Sequence, residues 1–165
     1  TSAWALHGDK ETRGNLVTSI ILSPEGLEEH NVMLQKKYES ALVDAMAESW
    51  QTDDAELILT GYGISGRIAR TAVEQLRAQG FKVGFFRPKT LFPFPGKQLC
   101  EVVFKTPGRQ VLVVELSNGQ YRDDVLLHLG NQHPVNVQMV SRMGGLLIEV
   151  DAIVKKATQM LQERK

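Results

Sequence analysis

The sequence predicts an α/β fold with a mostly parallel, buried sheet, and three observations support this. Apolar runs such as Leu57–Leu59 and Val111–Val114 have the unbroken character of strands covered on both faces. Between runs of this kind lie segments of helical periodicity, the clearest carrying Ile68, Ala69, Ala72, Val73 and Leu76 on one side. Strand and helix then alternate from Asp53 onward. That order calls for crossover connections and helices on both faces, a three-layer α/β/α arrangement.

Element by element, residues 1–23 have few periodic apolar positions and read as a linker, with Leu16–Leu22 as a short edge strand. Ser23-Pro24-Glu25 is a helix start: a serine cap, proline at the first helical position and an early acid. That helix is expected to run to about Trp50, its many polar residues suiting a surface position. Residues 1–52 are therefore expected to be a linker and surface helix, and residues 53–165 the α/β domain. After the first strand, Gly61-Tyr62-Gly63 breaks the run and Ser65 is placed to cap a helix. Arg67, Arg70, Glu74 and Arg77 are expected to face water, and Gly80 to close the helix in a left-handed cap. Lys82–Phe86 is the second strand, and Gly96–Lys105 a short helix led in by Pro93 and Pro95. Val111–Val114, Tyr121–Leu129, Val135–Val140 and Glu149–Glu163 continue the alternation as strand, helix, strand and helix.

Composition narrows the function. Nineteen basic and nineteen acidic side chains cancel, so no global field favours nucleic acid or an anionic membrane. No apolar run reaches the roughly 18–20 residues of a membrane span, and no signal-peptide pattern opens the chain. The single cysteine, Cys100, excludes an internal disulfide and fits a cytoplasmic setting. It also excludes an iron–sulfur cluster held by this chain alone, which takes about four cysteines. The first residue is Thr1, which points to an excised or processed fragment.

Three strand-end segments stand out. Gly61-Tyr62-Gly63-Ile64-Ser65-Gly66 has the glycine spacing of a dinucleotide loop between strand and helix. The acid expected at the end of the next strand is missing; Phe85, Phe86 and Arg87 stand there, and Arg87 leaves room only for a 2′-phosphate. A strand-to-helix turn that needs glycine for backbone reasons is the simpler reading. Arg87 to Pro95, with its two Phe-Pro steps, makes a stiff loop that either fills its own core with Phe92 and Phe94 or offers them to a neighbour. Glu115 ends the third strand and is placed to pair with Arg87, while Asn118-Gly119 reads as a turn before Gln120. The expected contact edge thus comprises Gly61, Tyr62, Gly63, Arg87, Pro88, Phe92, Phe94, Glu115, Asn118, Gly119 and Gln120. His7, His30, His128 and His133 lack metal-ligand spacing, and no nucleophile sits in an elbow motif. No catalytic, cofactor-binding or metal-binding residue is assigned.

Together these residues resemble one family. Glu56 to Gly63, Arg67-Ile68-Ala69-Arg70 and Ala72 to Arg77 resemble the start of the transketolase C-terminal-like domain in 2-oxoacid:ferredoxin oxidoreductase α subunits. Gly80 to Pro88, Leu91 to Pro95, Val113-Val114-Glu115, Asn118-Gly119-Gln120, Asp124-Val125 and Gly144-Gly145 fit the same family. Asn15 to Leu22, Leu27 to Asn31 and Leu34 to Tyr38 are similar to the branched-chain, 2-oxoisovalerate type. Leu116-Ser117 departs from the family pattern.

The resemblance implies a mixed sheet with one antiparallel strand. It also implies a holoenzyme that oxidatively decarboxylates a 2-oxoacid to an acyl-CoA and reduces ferredoxin, using thiamine diphosphate, Mg²⁺ and iron–sulfur clusters. Within it this domain would pack against other domains and subunits, and the chain alone would be inactive. Two rivals remain at this point. One is a free-standing NADP- or nucleotide-binding module, and the other is the C-terminal domain of a transketolase or 2-oxoacid dehydrogenase-type thiamine enzyme. The Phe-Pro steps and the upstream segment favour the ferredoxin family over the latter.

Overall fold

The computed structural model describes residues 2–15, 17, 19–130 and 134–163, and divides into two compact units, Thr1–Ser40 and Ala41–Lys165. In the first unit, Ser23 caps the helix α1 (Pro24–Ala41), its Oγ accepting from the Gly26 N–H at 3.2 Å. No side chain of α1 is buried, as its polar composition predicts. The edge strand expected at Leu16–Leu22 is not formed at residues 17 and 19–22; Leu16 and Thr18 lie outside the described residues, as does His133.

The helix expected to reach Trp50 stops at Ala41. A 3-10 turn, Leu42–Asp44, follows, and then the strand β1 (Ala47–Trp50). The remaining strands are β2 (Leu57–Thr60), β3 (Val83–Pro88), β4 (Gln110–Glu115) and β5 (Asn136–Ser141). The sheet order is β1-β3-β2-β4-β5, with β1 antiparallel to β3 and the other neighbours parallel. The mixed sheet with one antiparallel strand is therefore present, and β1 supplies it.

Apolar runs at β2, β3 and β4 are continuous because alternate residues serve two cores. Leu57, Leu59, Val83, Phe85, Leu112 and Val114 pack with α2 (Gly63–Ala78) and α5 (Val150–Gln162) through Val73, Leu76, Ile153 and Met160. Ile58, Phe86, Val111 and Val113 face the other way, onto Leu99 of α3 (Gly96–Val103) and Tyr121, Val125 and Leu129 of α4 (Gln120–Leu129). This is the three-layer α/β/α arrangement.

α2 ends as its sequence requires. Gly80, at φ +88°, donates to the Arg77 carbonyl, and Phe81 donates to that of Leu76 while packing on the core beside it. This double-bonded left-handed stop satisfies carbonyls that a helix end leaves open. Arg77, expected in water, is instead mostly covered. It donates to the Val83 and Gln51 carbonyls and grips Asp54 with two bonds of 2.7 and 2.9 Å. The start of α2 also differs from expectation: Tyr62 occupies the cap position and Ser65 is buried within the first turn.

Candidate functional site

Parallel strands deliver their carboxyl ends to one edge of a sheet, and ligand crevices form where the connections of adjacent strands diverge. Here that point lies between neighbours β2 and β4, because β2 connects through α2 to β3 on one side and β4 through α4 to β5 on the other. Backbone segments of the chain itself approach one another closely there. A Cβ on Gly61 would stand 2.7 Å from the Val114 carbonyl oxygen, and one on Gly66 would stand 2.7 Å from the Gly61 oxygen. The glycine spacing is thus accounted for by close backbone approach. Only Gly63, of φ +55°, is a glycine needed for its dihedral in this turn.

Tyr121 is the hub that joins the three segments. Buried at the start of α4, it shares a hydrogen bond with the buried Thr60 hydroxyl, meets Tyr62 edge-on at 5.2 Å, and packs on Phe94 at 6.2 Å. Burial pushes its phenol well above the ordinary tyrosine range. Neither Thr60 nor Tyr121 was assigned to this edge from the sequence. The signal available was a polar residue ending an apolar run and a tyrosine opening a helix. The two Phe-Pro phenylalanines part company: Phe94 is buried, whereas Phe92, preceding a cis bond to Pro93, is 72% exposed.

The expected Arg87–Glu115 pair does not form. Glu115 is fully buried and accepts from the Ser117 hydroxyl at 2.6 Å, the Gly119 N–H at 2.6 Å and the Arg122 N–H at 2.8 Å. It thereby satisfies donors of the α4 start, and Gly119 makes the turn at φ +100°. Arg87 instead lies beside Gly66 and pairs with Glu48 of β1 at 3.8 Å. Glu48 also meets Lys89 at 3.4 Å and Arg70 at 4.0 Å, and Arg70 covers the Trp50 ring at 4.9 Å. Pro88 ends β3 opposite Ala47, and Asn118 and Gln120 are exposed beside the α4 turn.

Next to this edge is a groove of about 520 Å³ between Leu42, Val43 and Ala45 on one side and Phe94 to Gln98 and His128 on the other. His128 stacks on Phe94 at 4.4 Å and bonds through Nδ1 to the Asp124 carbonyl. Cys100 donates to the His128 carbonyl, and partial burial pushes its thiol up. Among the described residues no group of three His, Cys, Asp or Glu side chains could hold a metal ion. No helix among them is long and apolar enough to cross a membrane.

The sequence pattern of pyruvate:ferredoxin oxidoreductase core domain II matches residues 55–153, which span β2 to the start of α5. The chain belongs to this family. Ketoisovalerate oxidoreductase subunit VorB of Methanothermobacter marburgensis is 42% identical over 163 residues, covering 98% of this chain and 45% of that protein. The 2-oxoglutarate synthase subunit KorA of the same organism is 30% identical over 141 residues, covering 84% of this chain and 36% of that one. A solved 2-oxoglutarate:ferredoxin oxidoreductase from Magnetococcus marinus, holding 2-oxoglutarate, coenzyme A and succinyl-CoA, shares the fold. Its TM-score is 0.67 at 21% identity, over 84% of this chain and 24% of that one. This core domain II chain spans about half the length of the curated relatives it matches.

Proposed function

We propose that this core domain II is the assembly portion of a 2-oxoacid:ferredoxin oxidoreductase of the ketoisovalerate type. The observation that carries the reading is the 42% identity to VorB along 98% of the chain. The whole enzyme would convert a branched 2-oxoacid and CoA to acyl-CoA and CO₂, passing two electrons to ferredoxin. Thiamine diphosphate with Mg²⁺ and iron–sulfur clusters would supply that chemistry. This chain's residues do not fit those groups: it has one cysteine, and among the described residues no three His, Cys, Asp or Glu side chains could hold a metal ion. The cofactors would be held by other domains and subunits, in the cytoplasm. The role left to this chain is docking, through the edge that carries Phe92, the Arg87–Glu48 pair and the exposed Asn118 and Gln120.

The test is to produce the full-length subunit with its partner subunits and assay CoA-dependent dye reduction with 2-oxoisovalerate, pyruvate and 2-oxoglutarate. Highest kcat/KM is expected with 2-oxoisovalerate, and a preference for pyruvate or 2-oxoglutarate would overturn the substrate assignment. Arg87→Ala and Phe92→Ala should leave the chain folded, since a part-exposed ion pair is worth about 1 kcal/mol or less. Both should loosen the complex, and unchanged assembly would sink the docking role of this edge.

A further inference from the structure

The two edges of the sheet are treated differently. β1 is four residues long and carries the Glu48 ion-pair cluster, a usual defence against unwanted strand pairing. β5, six residues long, reads Asn-Val-Gln-Met-Val-Ser, with no charge, proline or glycine. Its backbone polarity follows from its bonds. Asn136 donates to the Arg109 carbonyl and Arg142 to that of Glu115, so the even-numbered residues between them turn toward β4. Val137, Met139 and Ser141 therefore aim their N–H and C=O groups outward, and none of these has a hydrogen bond among the described residues.

Two further features adjoin this edge. A shallow groove beside it is lined by Met139, Val140, Ser141, Lys155, Lys156 and Gln159. Neither lysine forms an ion pair among the described residues. Directly after β5, Met143, Leu146 and Leu147 are 60%, 61% and 54% exposed, before Ile148 returns to the core.

We propose that β5 is completed by an extended segment of another subunit, which adds as a sixth strand and sets a carboxylate against Lys155 and Lys156. Such strand addition draws affinity from main-chain bonds and specificity from flanking side chains. A second copy is the poorer occupant. Pairing β5 with β5 about a two-fold axis would set α5 beside α5 on one face, and bring lysine pairs of like charge together. The inference rests on the chain working inside a multi-subunit enzyme.

The test uses the assembled enzyme. Hydrogen exchange at the outward amides of Val137, Met139 and Ser141 should match that at the inward Gln138 and Val140. Zero-length carbodiimide coupling should join Lys155 or Lys156 to an Asp or Glu of a different subunit. Met139→Pro, which deletes one outward donor and spares the β4 ladder, should weaken assembly about tenfold or more. Because proline could disturb β5 itself, the double change Lys155→Glu, Lys156→Glu provides a second arm. It should abolish the coupling and weaken assembly at low salt.

Outward amides exchanging about a hundredfold faster than inward ones in an active complex would overturn the strand addition and leave the family role intact. Coupling only to carboxylates of this chain, or of a second copy, would overturn the choice of occupant. An active enzyme lacking any other subunit would overturn both readings.

Discussion

Glu115, at the buried end of β4, accepts the Arg122 backbone N–H at 2.8 Å and so fastens the first turn of α4 to the sheet. Its other oxygen takes the Gly119 N–H and the Ser117 hydroxyl. Removing the carboxylate takes the acceptor from one buried and two half-buried donors. Glu115→Ala should therefore cost about 2–3 kcal/mol in denaturant unfolding, and Glu115→Gln less, because an amide oxygen can still accept.

Tyr121→Phe deletes the hydroxyl that pairs with Thr60, a fully buried group. The single change should cost about 1–2 kcal/mol, chiefly through the stranded Thr60 hydroxyl. Adding Thr60→Val should recover part of that loss. A double-mutant cycle showing no coupling would mean that the hydroxyls do not interact.

The glycines of the β2–α2 turn should separate by mechanism. Gly66→Ala drives a Cβ to within 2.7 Å of backbone and should cost about 1–3 kcal/mol. Gly63→Ala meets nothing within 4 Å and should cost about 1 kcal/mol, from the positive φ alone. Calorimetry on the two variants gives the ranking, and equal effects would contradict the packing account.

The Arg77 guanidinium holds the Asp54 carboxyl below the ordinary aspartate range. A carboxylate with a depressed folded pKa stabilises above its unfolded value, and that stabilisation fades as pH falls through the folded one. Stability should thus decline from about pH 4 downward. Asp54→Asn should be less stable than the parent at neutral pH and show a flatter acid limb. Parallel curves for the two proteins from neutral pH to pH 2 would refute the linkage.

β2, α2 and β4 were legible in the sequence because local pattern and burial agree: unbroken apolar runs for strands covered twice, a 3.6-residue period for a helix covered once. β1 was not. Ala47-Glu48-Ser49-Trp50 is short and half-polar, and it becomes a strand by pairing with β3, a tertiary cause that no local window contains. The same strand decides the partner of Arg87: Glu48 lies directly opposite it across β1 and β3, whereas Glu115 ends β4, which β2 separates from β3. The convergence of the three strand ends was readable from the parallel topology. Their meeting at Tyr121 was not, since a tyrosine opening a helix looks the same whether buried or exposed.

Arg77 has a consequence for how the molecule opens. One side chain on α2 holds the Gln51 carbonyl just after β1, the Asp54 carboxylate before β2 and the Val83 carbonyl of β3. The end of β1 is therefore tied to the last turn of the neighbouring helix as well as to its strand partner. Fraying from that end requires Arg77 to let go, so the sheet margin and the helix terminus should loosen as one cooperative unit. Amide exchange at Ser49 and Trp50 should then track that of the last turn of α2, and Arg77→Ala should uncouple the two.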